Sequence, residues 1–336
     1  MASDFVDTLI IGAGISGLMA GKILSQAGMD VLIIEKSQGV GGRMATRRFK
    51  DGVFDHGAQF FTARDRRFQE WVKEWQETKA VATWFGHKPK ADIFPTSENH
   101  PRYIGLKGMT TVPKEIAKGL VIHTNTRIKL ISQKDNQWLA ITDKGDEYNA
   151  SRIIISAPIP QLLKLLELGG VFLPKKENEE LQAIDYQPCI AGLVLMEGSS
   201  AVPSPGGKKF EHGELQWLGD NTQKGISPKM TAVTIHASSA FSRAYLDLPP
   251  GVIADILISA ASPWLGQEVQ EWQIHKWRYS QPVVPYPENF LETPDLSGLY
   301  MIGDGFGGAK VEGAALSGMG VALHLCEKLG SQGKNF

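Results

Sequence analysis

Residues 8–35 read TLIIGAGISGLMAGKILSQAGMDVLIIE, and the fold follows from this stretch. Thr8–Ile11 is a short, largely apolar run of the kind a buried parallel strand presents. Glycines end it, and apolar residues then return at helical spacing through Leu18, Met19, Ile23 and Leu24. After Gly28 a second apolar run, Val31–Ile34, stops at Glu35. The pattern is a βαβ unit of the size used by a doubly wound sheet. Inside it, Gly12, Gly14 and Gly17 form G-x-G-x-x-G, a weak signal alone. Placed between strand and helix, with an acidic residue about 20 residues on, it marks a dinucleotide-binding turn. Gly12 permits the turn, Gly14 lets the backbone approach a pyrophosphate, and Gly17 lets helix and strand pack closely. The helix N-terminus, with Ile15 and Ser16, offers N–H donors to phosphate, and Glu35 accepts from ribose hydroxyls.

At 336 residues the chain has room for two cores, or one core with a large insertion. Lys plus Arg is 35 and Asp plus Glu is 36, a net charge of -1, so no global field draws it to nucleic acid or anionic lipid. Cys189 and Cys326 lie far apart without CxxC or metal-ligand spacing, and read as reduced core residues in a cytoplasmic protein with no metal site. No uninterrupted apolar stretch reaches about 18 residues, and the region around Val6 lacks a basic n-region. Neither a membrane span nor export is expected. Oligomeric state is open.

Outward from the first unit, Phe68, Trp71, Val72 and Trp75 mark one face of an amphipathic helix. Between Thr83 and Pro101 the chain turns polar with prolines at 89, 95 and 101, as in a crossing between domains. Residues 121–155 alternate in short runs around Ile128–Ile131, Trp138–Ile141 and Ile153–Ile155, a meander returning to the main sheet. Residues 161–287 mix a Leu-rich helix, β-rich runs and a helix around Val252–Ser262, with no second glycine fingerprint. Strand-like Gly298–Ile302 and helical Glu312–Leu329 then return to the first theme. The organisation expected is α/β: a discontinuous FAD-binding, Rossmann-like domain of residues 1–62, 103–160 and 288–336, and an inserted substrate-binding domain of mixed sheet and helices, residues 63–102 and 161–287.

FAD rather than NAD follows from what comes after Glu35. EKSQGVGGRM resembles the E-x-x-x-x-x-G-G-R-x segment of amine-oxidase and phytoene-desaturase-like flavoproteins, in which Gly41 and Gly42 let the chain run close beneath a bulky cofactor. Arg43 is then a pyrophosphate contact, or a plain surface charge. YMIGDGFGGAKVEGAALSGMGVA from Tyr300 resembles the same class near its C-terminus. There Gly303 and Asp304 follow a strand, and a helix opening at Glu312, Gly313 and Ala314 turns its positive end toward a flavin. Asp304 is either a ribityl or phosphate partner or a turn-capping residue. Lys36 and Ile128 complete the expected cofactor set.

FDHGAQFF from Phe54, APIP from Ala157, KWRYSQP from Lys276 and IGDGF from Ile302 resemble segments of the renalases. That resemblance implies non-covalent FAD in a two-domain fold of the p-hydroxybenzoate hydroxylase and monoamine oxidase type, and oxidation of a dihydronicotinamide with electrons passed to oxygen. No cysteine stands between Asp304 and Gly313 to tether the flavin. Gln59 and His236 are the candidate catalytic residues, with Phe60, Phe61, Trp277, Arg278 and Tyr279 around a flat small-molecule substrate. Each has a structural alternative, from core packing for the phenylalanines to a carboxylate partner for Arg278. An isomeric dihydronicotinamide or NAD(P)H, an amine, and no substrate at all remain as three functional readings. The basic run Arg43, Arg47, Arg48, Arg64, Arg66 and Arg67 gives a faint preference for nucleotides over amines.

Overall fold

The computed structural model describes residues 5–85, 100–134 and 137–332. In chain order it begins β1 (Phe5–Ile11), α1 (Ile15–Gln26), β2 (Val31–Ile34), β3 (Thr46–Phe49), β4 (Gly52–Asp55), α2 (Arg66–Glu77), β5 (Val81–Phe85) and β6 (Arg102–Gly105). Then come α3 (Thr111–Ile116), β7 (Val121–His123), β8 (Ile128–Lys134), β9 (Gln137–Thr142), β10 (Glu147–Ile155), α4 (Ile159–Leu168) and α5 (Lys175–Gln182). β11 (Tyr186–Met196), β12 (Gly207–Lys209), β13 (Leu215–Asp220), β14 (Thr231–Ala237), α6 (Ser239–Tyr245), α7 (Pro250–Leu265) and β15 (Val269–Pro282) follow. The chain closes with β16 (Leu291–Glu292), β17 (Leu299–Met301), α8 (Asp304–Gly307) and α9 (Val311–Gln332). The polar crossing expected from Thr83 to Pro101 falls mostly on residues 86–99, outside the described residues.

Packing divides the chain into two compact units. The first comprises Met1–Gly42, Pro113–Asp185 and Pro282–Phe336, and the second Arg43–Val112 and Tyr186–Gln281. By packing, therefore, residues 43–62 fall in the second unit, where Phe54 lies among Leu193, Leu195 and Ala232. Residues 103–112 also fall in the second unit, and residues 161–185 and 282–287 in the first.

In the first unit an eight-stranded sheet runs β16-β17-β10-β1-β2-β7, with β9 and β8 continuing from β10. β17, β10, β1, β2 and β7 are parallel, and their carboxyl ends share one register: Ile11 pairs with both Ile34 and Ile155, and Ile155 with Met301. Every residue of β2 and the last four of β1 are buried, which explains the unbroken apolar runs. Chain direction diverges at β1, so the turns after β1, β2, β10 and β17 line one carboxyl edge, where open α/β sheets bind ligands.

The second unit holds a five-stranded sheet, β12-β13-β14-β11-β15, and the β3-β4 and β5-β6 hairpins. One sheet face, with Ile190, Val194, Leu218, Val233 and Ile235, packs on Ile253, Leu257 and Ala261 of α7 and Phe241 of α6. The other face carries the alternate residues. Ala191 pairs with His236 and His236 with Trp217, while Leu193 pairs with Thr234 and Thr234 with Gly219. α2 has Phe68, Val72 and Trp75 buried, the stripe read from sequence, and Asp65 caps it by accepting from Arg67 N. Cys189 is buried, whereas Cys326 is only half-buried on α9 and is not the core residue expected.

Candidate functional site

At the carboxyl edge of the first unit's sheet, the glycine turn is held from three sides. Gly12 N donates to Ile34 O at 2.8 Å, and Ser156 Oγ donates to the carbonyls of Ile11 and Gly12 at 2.9 and 3.0 Å. Glu35 is buried, and its two oxygens accept from Ala13 N and Ser37 N, each at 2.8 Å. A carboxylate has about four lone-pair sites, so a further acceptor position remains on each oxygen. The double-glycine segment returns to this turn: Gly41 N donates to Ala13 O at 2.8 Å, and a side chain at Gly42 would touch Gly14 Cα at 3.5 Å. Two sequence motifs some 25 residues apart thus meet at one place, as a cofactor cradle demands.

Whether a pyrophosphate fits is tested by the groups left without partners. Gly14 caps α1 with no side-chain hydrogen bond, and a Cβ at Gly14 would meet nothing within 4 Å. Ser16 is buried, and its hydroxyl has no hydrogen-bond partner. An uncapped helix N-terminus, an orphaned hydroxyl and open space before Gly14 together suit a bound anion. Gly17 and Gly318, by contrast, have no room for a Cβ, because backbone carbonyls of Gly12 and Ser16 lie against them. Nearby in the fold, Gly303 takes φ +132° and donates to Ser317 Oγ at 2.9 Å, and buried Asp304 opens α8. Gly313, in the first turn of α9 beside Glu312, is pressed against carbonyls of Gly307 and Gly308. Ala314 is buried, Ile128 opens β8 and is also buried, and Lys36 reaches Gln161 Oε1 at 3.2 Å. Arg43 begins the second unit, where its Nη1 donates to the carbonyls of Tyr279 and Ser280 at 3.3 and 3.1 Å.

The second unit brings polar and aromatic groups onto the sheet face away from α7. Residues 54–61 lie across it. The His56 carbonyl accepts from His236 Nε2 at 3.1 Å and from Trp277 Nε1 at 2.9 Å, and Thr234 Oγ1 donates to Asp55 O at 3.1 Å. His56, His275 and Trp277 form a ring cluster with centroids 4.3 to 5.1 Å apart. Gln59 is buried; its amide nitrogen bonds the carbonyls of Asp55 and Gly57, and its Oε1 has no partner. A Cβ at Gly219 would strike that oxygen, so glycine there is what admits Gln59. Below the segment, buried Asp55 and Lys224 pair at 2.8 Å. Asp55 also accepts from Thr46 Oγ1 and Met109 N, and Lys224 also donates to Gln59 O.

Burial disfavours the protonated form of all three histidines. Burial first, then the charges of His275 and Arg47, push His56 down to about 3. Burial first, then the Lys224 ammonium, pushes His236 down to about 4. Burial and Arg47 lower His275 as well. The face can therefore stack and hydrogen-bond a flat ligand, but among the described residues it presents no strong base.

Of the residues expected around a substrate, Gln59, His236 and Trp277 converge on the 54–61 segment. Phe60 lies half-buried among Trp84, Trp217 and Arg102. Phe61 is core, packed on Phe68 and Tyr103. Tyr279 packs on Tyr186, and exposed Arg278 pairs with Asp247 at 3.2 Å, the structural alternative weighed above. Sequence reasoning passed over His56, His275, Asp55 and Lys224. His56 and Asp55 were within the quoted FDHGAQFF, and an acidic-histidine pair between apolar residues was the available signal. Nothing local marks Lys224.

The NAD(P)-binding Rossmann-like domain family matches residues 10–75, and the flavin containing amine oxidoreductase family matches residues 83–326. Renalase of Mus musculus is 23% identical over 289 residues, spanning 81% of this chain and 84% of renalase. An L-amino-acid oxidase of Crotalus adamanteus is 27% identical over 157 residues, 44% of this chain but only 30% of the oxidase. A putrescine oxidase solved with putrescine superimposes over 97% of this chain and 100% of its own with a TM-score of 0.72 at 15% identity, a likeness of fold. With the dinucleotide turn, the returning double glycine and the α8-α9 junction at one sheet edge, this chain belongs to the flavin containing amine oxidoreductase family, as a renalase-like, FAD-dependent oxidoreductase.

Proposed function

We propose that the protein takes hydride from a dihydronicotinamide, an isomeric form or ordinary NAD(P)H, into FAD and passes the electrons to oxygen or another acceptor. The observation that supports this reading is the ring cluster of His56, His275 and Trp277, an aromatic wall suited to a flat donor ring. In a dihydropyridine the ring nitrogen's lone pair expels hydride as the C–H bond breaks, leaving a nicotinamide cation, and no proton has to be removed. FAD supplies the two-electron acceptor. Its holders are Gly12, Gly14, Ile15, Ser16, Gly17, Glu35, Lys36, Gly42, Arg43, Ile128, Gly303, Asp304, Glu312, Gly313 and Ala314, without a covalent bond. Trp277 and His275 stack the donor ring, Gln59 Oε1 accepts from its carboxamide N–H, and His236 fixes the 54–61 segment through the His56 carbonyl. The first unit is thus the FAD-binding domain and the second the substrate domain.

A flavin amine oxidase is the rival, favoured by the local likeness to L-amino-acid oxidases. An anaerobic stopped-flow panel separates the two. Isomeric dihydronicotinamides, NADH, NADPH and primary amines are each mixed with oxidised holoprotein while flavin absorbance is followed. The expected result is bleaching by a dihydronicotinamide faster than by any amine; rapid reduction by an amine alone sinks the proposal.

A further inference from the structure

The cations on either side of β3 are each matched by β15. Arg43 bonds the carbonyls of Tyr279 and Ser280, and Lys50 pairs with Glu271 at 3.1 Å. Between them stands Arg47. It lies directly opposite Phe54 in the β3-β4 hairpin, so its side chain leaves the strand on the side Phe54 uses to meet Leu193 and Leu195. Its charge bears on His56 and His275 there, whereas Arg48, on the other side, is exposed.

Half-buried Arg47 forms no hydrogen bond or ion pair among the described residues. The neighbouring carboxylates are already matched: Asp51 by Lys229 at 3.4 Å, Asp55 by Lys224 at 2.8 Å, and Glu271 by Lys50. Two further polar atoms are stranded on these elements. His56 is 5% exposed and its Nδ1 has no partner, and Gln273 Oε1, two residues before His275 on β15, is also buried without one. An uncompensated guanidinium beside neutral rings and orphaned polar atoms lacks one thing, an anion brought by a ligand.

We propose that Arg47, flanked by His56 and His275, is an anion subsite that binds the phosphate of a phosphorylated dihydronicotinamide, a mononucleotide or dinucleotide, with Trp277 left for the ring. This rests on the dihydronicotinamide reading of the same face. The planar fork of arginine matches two phosphate oxygens at once, a fit lysine does not reproduce.

The test compares reduced nicotinamide mononucleotide with phosphate-free 1-methyl-dihydronicotinamide as donors to holoprotein under anaerobic conditions. Arg47→Met is expected to raise the half-saturating mononucleotide concentration roughly tenfold, or about 1.4 kcal/mol, and to leave the phosphate-free donor unchanged. Arg47→Lys falls between, and Arg48→Met changes neither. Equal effects on both donors, or none, overturn the subsite. Binding of oxidised nicotinamide mononucleotide, followed by tryptophan fluorescence with inorganic phosphate as a competitor, reads the subsite without turnover. If no dihydronicotinamide reduces the flavin, the functional reading fails, and the subsite stands only if this binding is present and weakened by Arg47→Met. Flavin content and thermal midpoint verify folding; should Arg47→Met not fold, Arg47→Lys carries the comparison.

Discussion

His236 and His56 share one carbonyl contact, and their neutrality has a measurable consequence. Their pKa values are about 4 and about 3 in the folded protein, against about 6.5 in an unfolded chain. Above pH about 6.5 both states are neutral, and neither residue makes stability depend on pH. Below it the unfolded chain takes up protons that the native one refuses, so stability falls with pH by up to about 1.4 kcal/mol per unit for each histidine. The fall flattens once pH passes the folded values. Urea midpoints from pH 7 to 4.5 are expected to drop, and less steeply in His236→Gln, whose amide can still donate to the His56 carbonyl. Identical slopes in the two proteins would show that His236 is not held neutral. At this scale the sequence was most legible where a residue is needed for backbone reasons. Gly12, Gly14 and Gly17 announce a turn whatever surrounds them, while Arg278 and Phe61 depended on Asp247, Phe68 and Tyr103, partners that only the fold supplies.

Among the elements, the turn between β13 and β14 shows what local patterns leave out. It carries Lys224 to Asp55 and Gln59, and Asn221 Oδ1 accepts from Asp55 N at 3.2 Å, so one short turn fixes the whole 55–59 segment. Both ionic side chains are fully buried, and removing one partner leaves a charge in a medium that solvates it poorly. Lys224→Met is expected to lower unfolding free energy by about 3–5 kcal/mol. Adding Asp55→Asn should recover part of it, because a neutral amide oxygen still accepts from Thr46 and Met109. Urea titration of the three proteins decides, and a double variant less stable than Lys224→Met alone would show that the pair's charge is not what matters. β1, β2 and β10 were readable because strands buried on both faces need continuous apolar runs. β3, with the sequence TRRF, was not: it is half-exposed and basic, and it forms by pairing with Gly52–Asp55.

Taken as a whole, the chain is proposed to hold FAD with backbone donors rather than with a covalent bond, and its two thiols bear on this directly. Cys189 is buried in β11, and burial pushes its thiol up to about 12, so it carries almost no thiolate near neutral pH. Cys326 lies on α9 beyond Gly313, about 20 Å along the helix at 1.5 Å per residue, and burial raises its pKa too. Neither thiol belongs to the segment from Asp304 to Gly313. Retention of FAD then rests on the α1 N-terminus, the glycine turns and Glu35, all features of the native fold that vanish when the chain unfolds. On that proposal unfolding and release are one event, which links cofactor affinity to stability: ligand at 100 times its Kd adds about 2.7 kcal/mol. Acid or heat is therefore expected to leave intact FAD in the supernatant over a colourless precipitate. Apoprotein prepared by mild removal of the flavin should melt below the holoprotein and regain its midpoint as FAD is added. Yellow colour that stays with the denatured protein through washing would show a covalent bond and remove the basis of this linkage.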